Sequence, residues 1–322
     1  MSTKIEWTDA TWNPIVGCSK ISAGCENCYA ETAAASARLQ QFGQYQDVID
    51  FEIDKSYGQV VGHQWNGKTV FVDSQLEKPL HWKKPRKIFV CSMGDLFHES
   101  VPFEWIDKVM AIIALCHWHT FQILTKRPER MLEYFGRKNL EEIVAENIRL
   151  PQWFNRNVKE PLPSHLDFNA ISKKTHFPLP NLWLGVTAEN QEMADERIPL
   201  LLQIPAAKRF ISIEPCLGDV NLEEYLTPLG SETCHYGTSH VLKTCDCRHE
   251  YINWVIVGCE AGAKRRDCKR HWISGIVMQC ETAGVPVFVK QVSNVFKKVI
   301  KTIEQFPEEL RIREFPDREA LE

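Results

Sequence analysis

Short apolar runs recur along this 322-residue sequence, and they constrain the fold more than any other feature. Each run is rich in Val, Ile or Phe and is followed by a polar turn. Continuous apolar runs of this length are typical of strands that are buried on both faces of a parallel sheet. The predicted strands are residues 87–93, 120–125, 182–187, 209–213, 254–259 and 285–289.

Helical periodicity marks most of the segments between these runs, with Pro102 just before one of them and Gly284 at the end of another. The predicted helices are residues 104–117, 128–135, 190–203 and 271–283. Alternation of strand and helix predicts an α/β protein, and we expect a partial or full (β/α) barrel of parallel strands. A doubly wound open sheet is the alternative.

Two stretches break this alternation and are predicted to be insertions into a single domain that covers residues 1–322. They lie at about residues 138–181 and 229–251. The second contains three cysteines among several histidines, which are adequate ligands for zinc or an auxiliary cluster, although their spacing matches no common zinc finger. A lid or an interaction loop is the other interpretation. These cysteines are Cys234, Cys245 and Cys247.

Charge and hydropathy exclude some classes of function. Lys and Arg number 38 and Asp and Glu number 42, so the net charge of -4 gives no general argument for nucleic-acid binding, and only local basic patches support it. The longest uncharged apolar stretch, residues 109–116, is far shorter than the roughly 20 residues that cross a bilayer. The N-terminal segment lacks the apolar core of a signal peptide. We therefore expect a cytoplasmic protein with no membrane association.

The 12 cysteines point to metal ligation, catalysis or burial, because disulfides are rare in a reducing compartment. The sharpest local pattern is Cys18, Cys25 and Cys28, spaced C-x6-C-x2-C. Three thiolates without a nearby fourth suit a four-iron, four-sulfur cluster with one open iron, since structural zinc takes four protein ligands. The spacing alone also allows a zinc site completed by distant cysteines, a redox dithiol at Cys25 and Cys28, or core packing.

The sequence around this loop resembles a phage-associated family of uncharacterised three-cysteine-motif proteins. The resemblance begins at residues 5–14 (IEWTDATWNP), includes the cysteine loop and Tyr29, and continues along most of the chain. The other similar segments are residues 88–99, 119–130, 183–190, 209–215, 254–262 and 284–291. That family in turn resembles a divergent branch of the radical S-adenosylmethionine (radical SAM) enzymes, whose partial barrel carries a three-cysteine loop after its first strand.

The resemblance implies a [4Fe-4S] cluster on Cys18, Cys25 and Cys28, with S-adenosyl-L-methionine as the second cofactor. Such an enzyme takes an electron from a donor and cleaves S-adenosylmethionine reductively to start radical chemistry. The chain departs from the commonest superfamily spacing, C-x3-C-x2-C, and has Asn27 where an aromatic residue usually precedes the last cysteine. Tyr29, two positions after Asn27, is the predicted contact for the adenine.

Active-site groups gather at the carboxyl ends of parallel strands, and each predicted strand ends in a charged or hydrogen-bonding residue. The resemblance implies that the segment Ser92, Met93, Gly94 and Asp95 binds the methionine moiety. Glycine lets a backbone approach a ligand closely, and the Asp95 carboxylate can accept from an ammonium group. An ordinary turn capped by Asp95 is the alternative. The further predicted cofactor contacts are Thr187 and Glu189.

Three other residues at strand ends are candidate catalytic groups, and a structural ion pair or a solvated charge is the alternative for each. They are Glu214, Lys126 and Lys290. Lys126 or its neighbour Arg127 is the predicted partner of the methionine carboxylate. A basic cluster within residues 264–270 would steer an anionic substrate. We therefore expect a radical SAM-like enzyme that acts on a nucleic acid or a nucleotide. The alternative, from another class, is a non-catalytic zinc or iron–sulfur protein that binds nucleic acid or a partner.

Overall fold

The computed structural model describes residues 3, 5–149, 166–226, 251–294 and 298–316. Contacts along the chain divide it into two compact units, Met1–Trp183 and Leu184–Glu322. The boundary between the units falls inside a strand.

The first unit contains the cysteine loop. Its strands are β1 (Ala10–Trp12), β2 (Ile15–Val16), β3 (Ile49–Asp54), β4 (Gln59–Trp65), β5 (Val70–Phe71), β6 (Lys87–Val90), β7 (Thr120–Thr125) and the start of β8 (Leu182–Thr187). Its helices are α1 (Tyr29–Ala34), α2 (Gly43–Gln46), α3 (Asp73–Leu76), α4 (Phe103–Leu115), α5 (Pro128–Phe135), α6 (Leu140–Arg149) and α7 (Phe168–Lys174).

The second unit contains the rest of β8 and the C-terminal strands. Its further strands are β9 (Lys208–Ile213), β10 (Trp254–Gly258), β11 (Val287–Ser293) and β12 (Val299–Ile300). Its helices are α8 (Gln191–Leu202) and α9 (Arg270–Ala283). Helix α9 ends where Gly284 adopts the left-handed conformation with a φ of 68°, and Val285 N–H donates to the carbonyl of Cys280, so the predicted glycine cap is confirmed.

The main sheet has eight strands in the order β1-β6-β7-β8-β9-β10-β11-β12. The pairs β1–β6, β6–β7, β9–β10 and β10–β11 are parallel, whereas the short β12 runs antiparallel to β11. Strands β8, β9 and β10 are buried along nearly their whole length, as continuous apolar runs predict. An α/β fold on a mostly parallel sheet is therefore confirmed, and the barrel stays a prediction.

The predicted strands and helices all form, and two strands differ at their ends for local reasons. The run predicted as 87–93 stops at Val90, because Cys91 has a φ of 57° and turns the chain out of the sheet. The run predicted as 285–289 continues to Ser293, because Gln291 pairs with Gly258 of β10 and the last residues pair with β12.

A small apolar cluster supports the cysteine loop in the first unit. Cys18 and Cys28 are half-buried and pack against it. Its buried members are Val16, Ala30, Ala34, Tyr45, Val48, Ile49, Trp65, Val72 and Met93. Each large side chain in such a cluster contributes about 1.5–3 kcal/mol to folding by leaving water. The start of α1 and the end of β2, which flank the loop, are thereby held on the same core.

The first predicted insertion contributes α6 and α7, which pack on each other and on α4. Its residues 150–165 and most of the second insertion, including Cys234, Cys245 and Cys247, lie outside the described residues. In the part of the chain that the structure describes, no helix is both long enough and apolar enough to span a membrane.

Candidate functional site

Three free cysteines define one loop of the first unit. Cys18 follows β2, Cys25 ends a single 3-10 turn, and Cys28 immediately precedes α1. All three are half-buried, so their sulfur atoms are held by the fold while the loop stays accessible. The structure thus places on one loop the three cysteines that the sequence singles out.

The environment of Cys18 disfavours a bare thiolate. Burial, followed by the negative charge of Asp95, raises the pKa of the Cys18 thiol to about 12, with Arg127 acting in the opposite direction and Cys28 and Cys25 adding smaller rises. A thiol of this kind ionises when a cation or a metal centre approaches, because coordination deprotonates it.

Gly94 fits closely against the strand that leads into the loop. Gly17 N–H donates to the carbonyl of Met93 over 3.0 Å, and Gly17 and Gly94 form an isolated parallel bridge. A Cβ atom on Gly94 would lie 2.8 Å from the carbonyl oxygen of Gly17. The close neighbour that requires glycine here is therefore the protein backbone, and a direct cofactor contact at Gly94 stays a prediction.

Gly94→Ala is expected to destabilise the protein by about 1–3 kcal/mol, since the added methyl group must displace backbone rather than a flexible side chain. Urea unfolding followed by fluorescence measures this change. Gly43→Ala is the matched control, because a Cβ at Gly43 has no atom within 4 Å. Equal stability of the two variants would contradict the close packing of Gly94 against Gly17.

Tyr29 and the 92–95 turn are joined by hydrogen bonds. The Tyr29 hydroxyl donates to the carbonyl of Ser92 over 2.8 Å, although the side chain is largely exposed. Ser92 Oγ and Met93 N–H both donate to Asn13 Oδ1, each over 3.1 Å. The predicted adenine contact and the predicted methionine contact are thus adjacent in the first unit.

Asp95 is buried, and protein donors surround its carboxylate. Thr125 Oγ1 donates to both carboxylate oxygens, at 2.7 and 2.9 Å, and Phe97 N–H donates over 3.0 Å. Lys126 N–H and Arg127 Nη1 donate over 3.3 and 3.1 Å. These contacts match the alternative in which Asp95 organises a turn, and its role toward an ammonium group stays a prediction. Lys126 contacts Asp95 through its backbone amide, and the predicted role of the Lys126 side chain stays a prediction.

Arg127 is the functional candidate that the sequence underweights. Its guanidinium is buried and contacts Cys18 Sγ at 3.7 Å and Asp95 Oδ2 at 3.1 Å through Nη1. Nε donates to Glu99 Oε1 over 2.8 Å, and Nη2 donates to the hydroxyl and the carbonyl of Ser19. One side chain therefore fixes the start of the cysteine loop to the ends of two strands. The sequence signal for this role is an arginine two residues after the end of β7, together with two acidic residues, Asp95 and Glu99, that follow β6.

In the second unit, the predicted Glu189 site is a buried ion pair. Glu189 Oε2 lies 3.0 Å from Arg197 Nη1, and both side chains are essentially inaccessible to solvent. The same Arg197 nitrogen donates to the carbonyl of Thr187 over 2.8 Å. Arg197 thereby holds the end of β8 to α8. The predicted contacts of Thr187 and Glu189 with a cofactor stay predictions.

Glu214 and Lys290 lie together at the strand ends of the second unit. Lys290 Nζ is 2.5 Å from Glu214 Oε1, and both side chains are partly exposed. A second ion pair of this unit joins Arg266 to Glu260 over 2.5 Å. Glu214 and Lys290 are thus a charged pair that solvent can reach, unlike the sealed pair at Glu189.

Part of the predicted basic cluster is neutralised. Arg266 pairs with Glu260, and Arg270, the first residue of α9, pairs with the exposed Glu309. The remaining members of the cluster are Lys264, Arg265 and Lys269. The positive charge available to an anionic substrate is therefore smaller than the sequence indicates.

Comparisons with known proteins identify one family. The chain matches a family described as "Protein of unknown function (DUF5131)" over residues 2–311. No curated protein and no solved structure matches the chain. Within the described residues, no group of three or more His, Cys, Asp or Glu side chains is arranged to hold a metal ion.

Proposed function

We propose that this chain, which belongs to the DUF5131 family of proteins of unknown function, is a radical SAM-like iron–sulfur enzyme. The observation that carries the proposal is the loop in which Cys18, Cys25 and Cys28 present three free, half-buried thiols. Three cysteines leave one iron of a four-iron cluster without a protein ligand, and S-adenosylmethionine can occupy that position.

The chemistry of the loop fits such a cluster. Thiolates are the protein ligands of iron–sulfur clusters, and the three cysteines come from one segment of eleven residues, 18–28. The raised pKa of Cys18 favours a protonated thiol until a positively charged centre approaches. Arg127 contributes one positive group at 3.7 Å from Cys18 Sγ, which partly offsets the negative charge of a thiolate-ligated cluster.

When bound, the cluster and S-adenosylmethionine supply a one-electron reductive cleavage that starts radical chemistry. The protein's own residues would bind the cluster and orient S-adenosylmethionine. Cys18, Cys25 and Cys28 hold the cluster, while Arg127 fixes the position of Cys18. Tyr29 is oriented by its hydrogen bond to the Ser92 carbonyl, and its exposed ring is the proposed contact for adenine.

The remaining groups in the first unit are proposed methionine contacts. Backbone groups of Ser92, Met93 and Gly94 line the turn that Asn13 fixes, and the side chain of Lys126 is the proposed partner of the methionine carboxylate. The carboxylate of Asp95 already accepts hydrogen bonds from Thr125, Phe97 and Arg127. A bond from the methionine ammonium group to Asp95 would be additional to these.

In the second unit, Glu214 and Lys290 are the proposed substrate contacts. The Lys290 and Glu214 side chains are 15% and 19% exposed, so a polar substrate group that enters from solvent can reach the pair. Thr187 and Glu189 lie at the end of β8, which Arg197 holds to α8. They are the further proposed cofactor contacts. The proposed substrate is a nucleic acid or a nucleotide.

We also propose a partial or full (β/α) barrel, since parallel strands that follow chain order are the arrangement found in such barrels. A cytoplasmic location and a separate electron donor belong to the same proposal. The phage association rests on the sequence resemblance.

The test is electron paramagnetic resonance of anaerobically purified, dithionite-reduced protein with and without S-adenosylmethionine. We expect the signal of a reduced cluster, and we expect that signal to shift when S-adenosylmethionine binds the open iron. A cluster signal that does not shift would contradict the use of S-adenosylmethionine. Stoichiometric zinc without an iron signal would favour the non-catalytic binding protein instead.

A further inference from the structure

The hairpin of β3 and β4 forms a separate two-stranded sheet in the first unit. Residues that lie opposite each other in an antiparallel pair point to the same side of the sheet, so the register assigns each side chain to a face. The acidic face carries Asp50, Glu52 and Asp54 of β3, opposite Gln64, Gly62 and Gln59 of β4. The other face is apolar except for one histidine. Its members are Ile49, Phe51 and Ile53 of β3, opposite Trp65, His63 and Val60 of β4.

The apolar face begins in the core and ends in solvent. Ile49 and Trp65, at the base of the hairpin, are buried in the apolar cluster that supports the cysteine loop. Nearer the turn of the hairpin, Phe51, Ile53 and Val60 are 38%, 55% and 59% exposed. The apolar face therefore continues beyond the point where the first unit covers it.

Exposed apolar side chains are concentrated in this hairpin. Among the described residues, five of the nine large apolar side chains that are exposed lie within residues 51–61. Besides the three on the apolar face, they are Tyr57 in the turn and Val61 next to Val60. Single exposed apolar residues are normal on a protein surface, whereas a contiguous patch marks an interaction site. A hairpin of two strands is also only marginally stable by itself, so a partner on this face would stabilise it.

The charges of the hairpin indicate which partner fits the apolar face. No carboxylate, lysine or arginine belongs to that face. The three carboxylates on the acidic face would repel the phosphates of a nucleic acid and the surface of an anionic membrane. A basic protein would be attracted to the acidic face rather than to the apolar one. The apolar face therefore fits a partner surface that is itself apolar and uncharged.

A second copy of this chain supplies such a surface. Two hairpins that pack with their apolar faces together keep both acidic faces in water on the outside. Packed sheets lie about 10 Å apart, so carboxylates on the two outer faces are farther apart than the Debye length of about 8 Å at physiological ionic strength. Salt therefore screens the repulsion between the two sets of carboxylates. Predominantly apolar contacts are also typical of homodimers.

We propose that two copies of this chain associate through the apolar faces of their β3–β4 hairpins, around a twofold axis. The same patch then serves both copies. The five exposed side chains provide roughly 500 Å² per copy, on a scale where one aromatic side chain buries about 150–250 Å². A total of about 1,000 Å² is at the lower limit for a specific interface, so the dimer should be weak and should depend on protein concentration. This association needs neither the cluster nor the radical reaction.

Sedimentation velocity of the full chain, without oxygen and with dithiothreitol, tests the proposal from low to high micromolar concentration. We expect a monomer at the low end and a dimer at the high end. Val60→Glu should raise the dissociation constant by about a hundredfold, because the twofold symmetry places two carboxylates in an apolar contact.

Gln59→Glu is the matched control, since it adds the same charge at the neighbouring position, on the acidic face. We expect its dissociation constant to stay within about twofold of the wild-type value, because the added charge remains in water. Gln59 and Val60 are both exposed, so both variants should fold, which urea unfolding checks. Ile53→Glu is a second variant of the apolar face and should dissociate the dimer as Val60→Glu does.

Three results would overturn the proposal. A wild-type chain that stays monomeric at every concentration would assign the apolar face to a different protein. A dimer that persists unchanged in both Val60→Glu and Ile53→Glu would place the contact elsewhere on the chain. Equal dissociation in Gln59→Glu would show that added charge, rather than burial of the apolar face, governs the association.

Discussion

Cys25→Ala protein, purified without oxygen, is expected to contain only background iron and to lack the spectrum of a [4Fe-4S] cluster. Removal of one of the three thiolates leaves two of the four irons without a protein ligand, so the cluster should not be retained. Cys25 is half-buried on the loop and contributes little to the core, so the folded state should survive. Iron and sulfide analysis, together with the visible absorption spectrum, measures the loss.

Cys280→Ala is the control for this experiment. Cys280 is also a free cysteine, but it is fully buried within α9. Its replacement removes a thiol from the chain without touching the loop, so the iron content should stay at the wild-type level. Equal iron loss in the two variants, or full iron retention in Cys25→Ala, would contradict the assignment of the cluster to this loop.

The strands and helices that position the site follow from local patterns, and for that reason the sequence predicts them well. The apolar runs that become β7 and β8 are buried along nearly their whole length, as strands of a parallel sheet usually are. Gly284 closes α9 because the left-handed conformation of its backbone suits glycine. One element with a clear signal is absent from the sequence-based prediction, namely the hairpin of β3 and β4. Polar and apolar residues alternate along β3, which is typical of a strand.

The cysteine loop could be predicted because its three ligands are close in sequence. The ion pairs around it could not, because their members come from different strand ends. Arg127 and Asp95 are separated by 32 residues and meet only when β6 and β7 pair in parallel. A charged residue after a buried strand is compatible with a ligand contact, a structural pair or a solvated position, and the residue type alone does not separate them. Asp95 and Glu189 illustrate this, since arginines occupy both carboxylates.

Arg127→Met is expected to lower the free energy of unfolding by about 3–5 kcal/mol, the cost of breaking a buried ion pair by removing one partner. The Arg127 and Asp95 side chains are 4% and 8% exposed, so solvent screens their charges little. Without the guanidinium, the carboxylate of Asp95 keeps its hydrogen bonds from Thr125 but loses its only cationic contact recorded among the described residues. Urea unfolding of the anaerobic protein measures the difference.

Arg270→Met is the control, since the side chains of both Arg270 and its ion-pair partner Glu309 are more than half exposed. That variant should lose much less stability, because exposed pairs contribute only about 0–1 kcal/mol. A double-mutant cycle then separates charge from packing. If the buried carboxylate causes the loss, Asp95→Asn should cost less in the Arg127→Met background than in the wild type, because the uncompensated charge is gone. Additive effects of the two substitutions would mean that Arg127 stabilises the loop through its contacts with Ser19 and Glu99 rather than through Asp95.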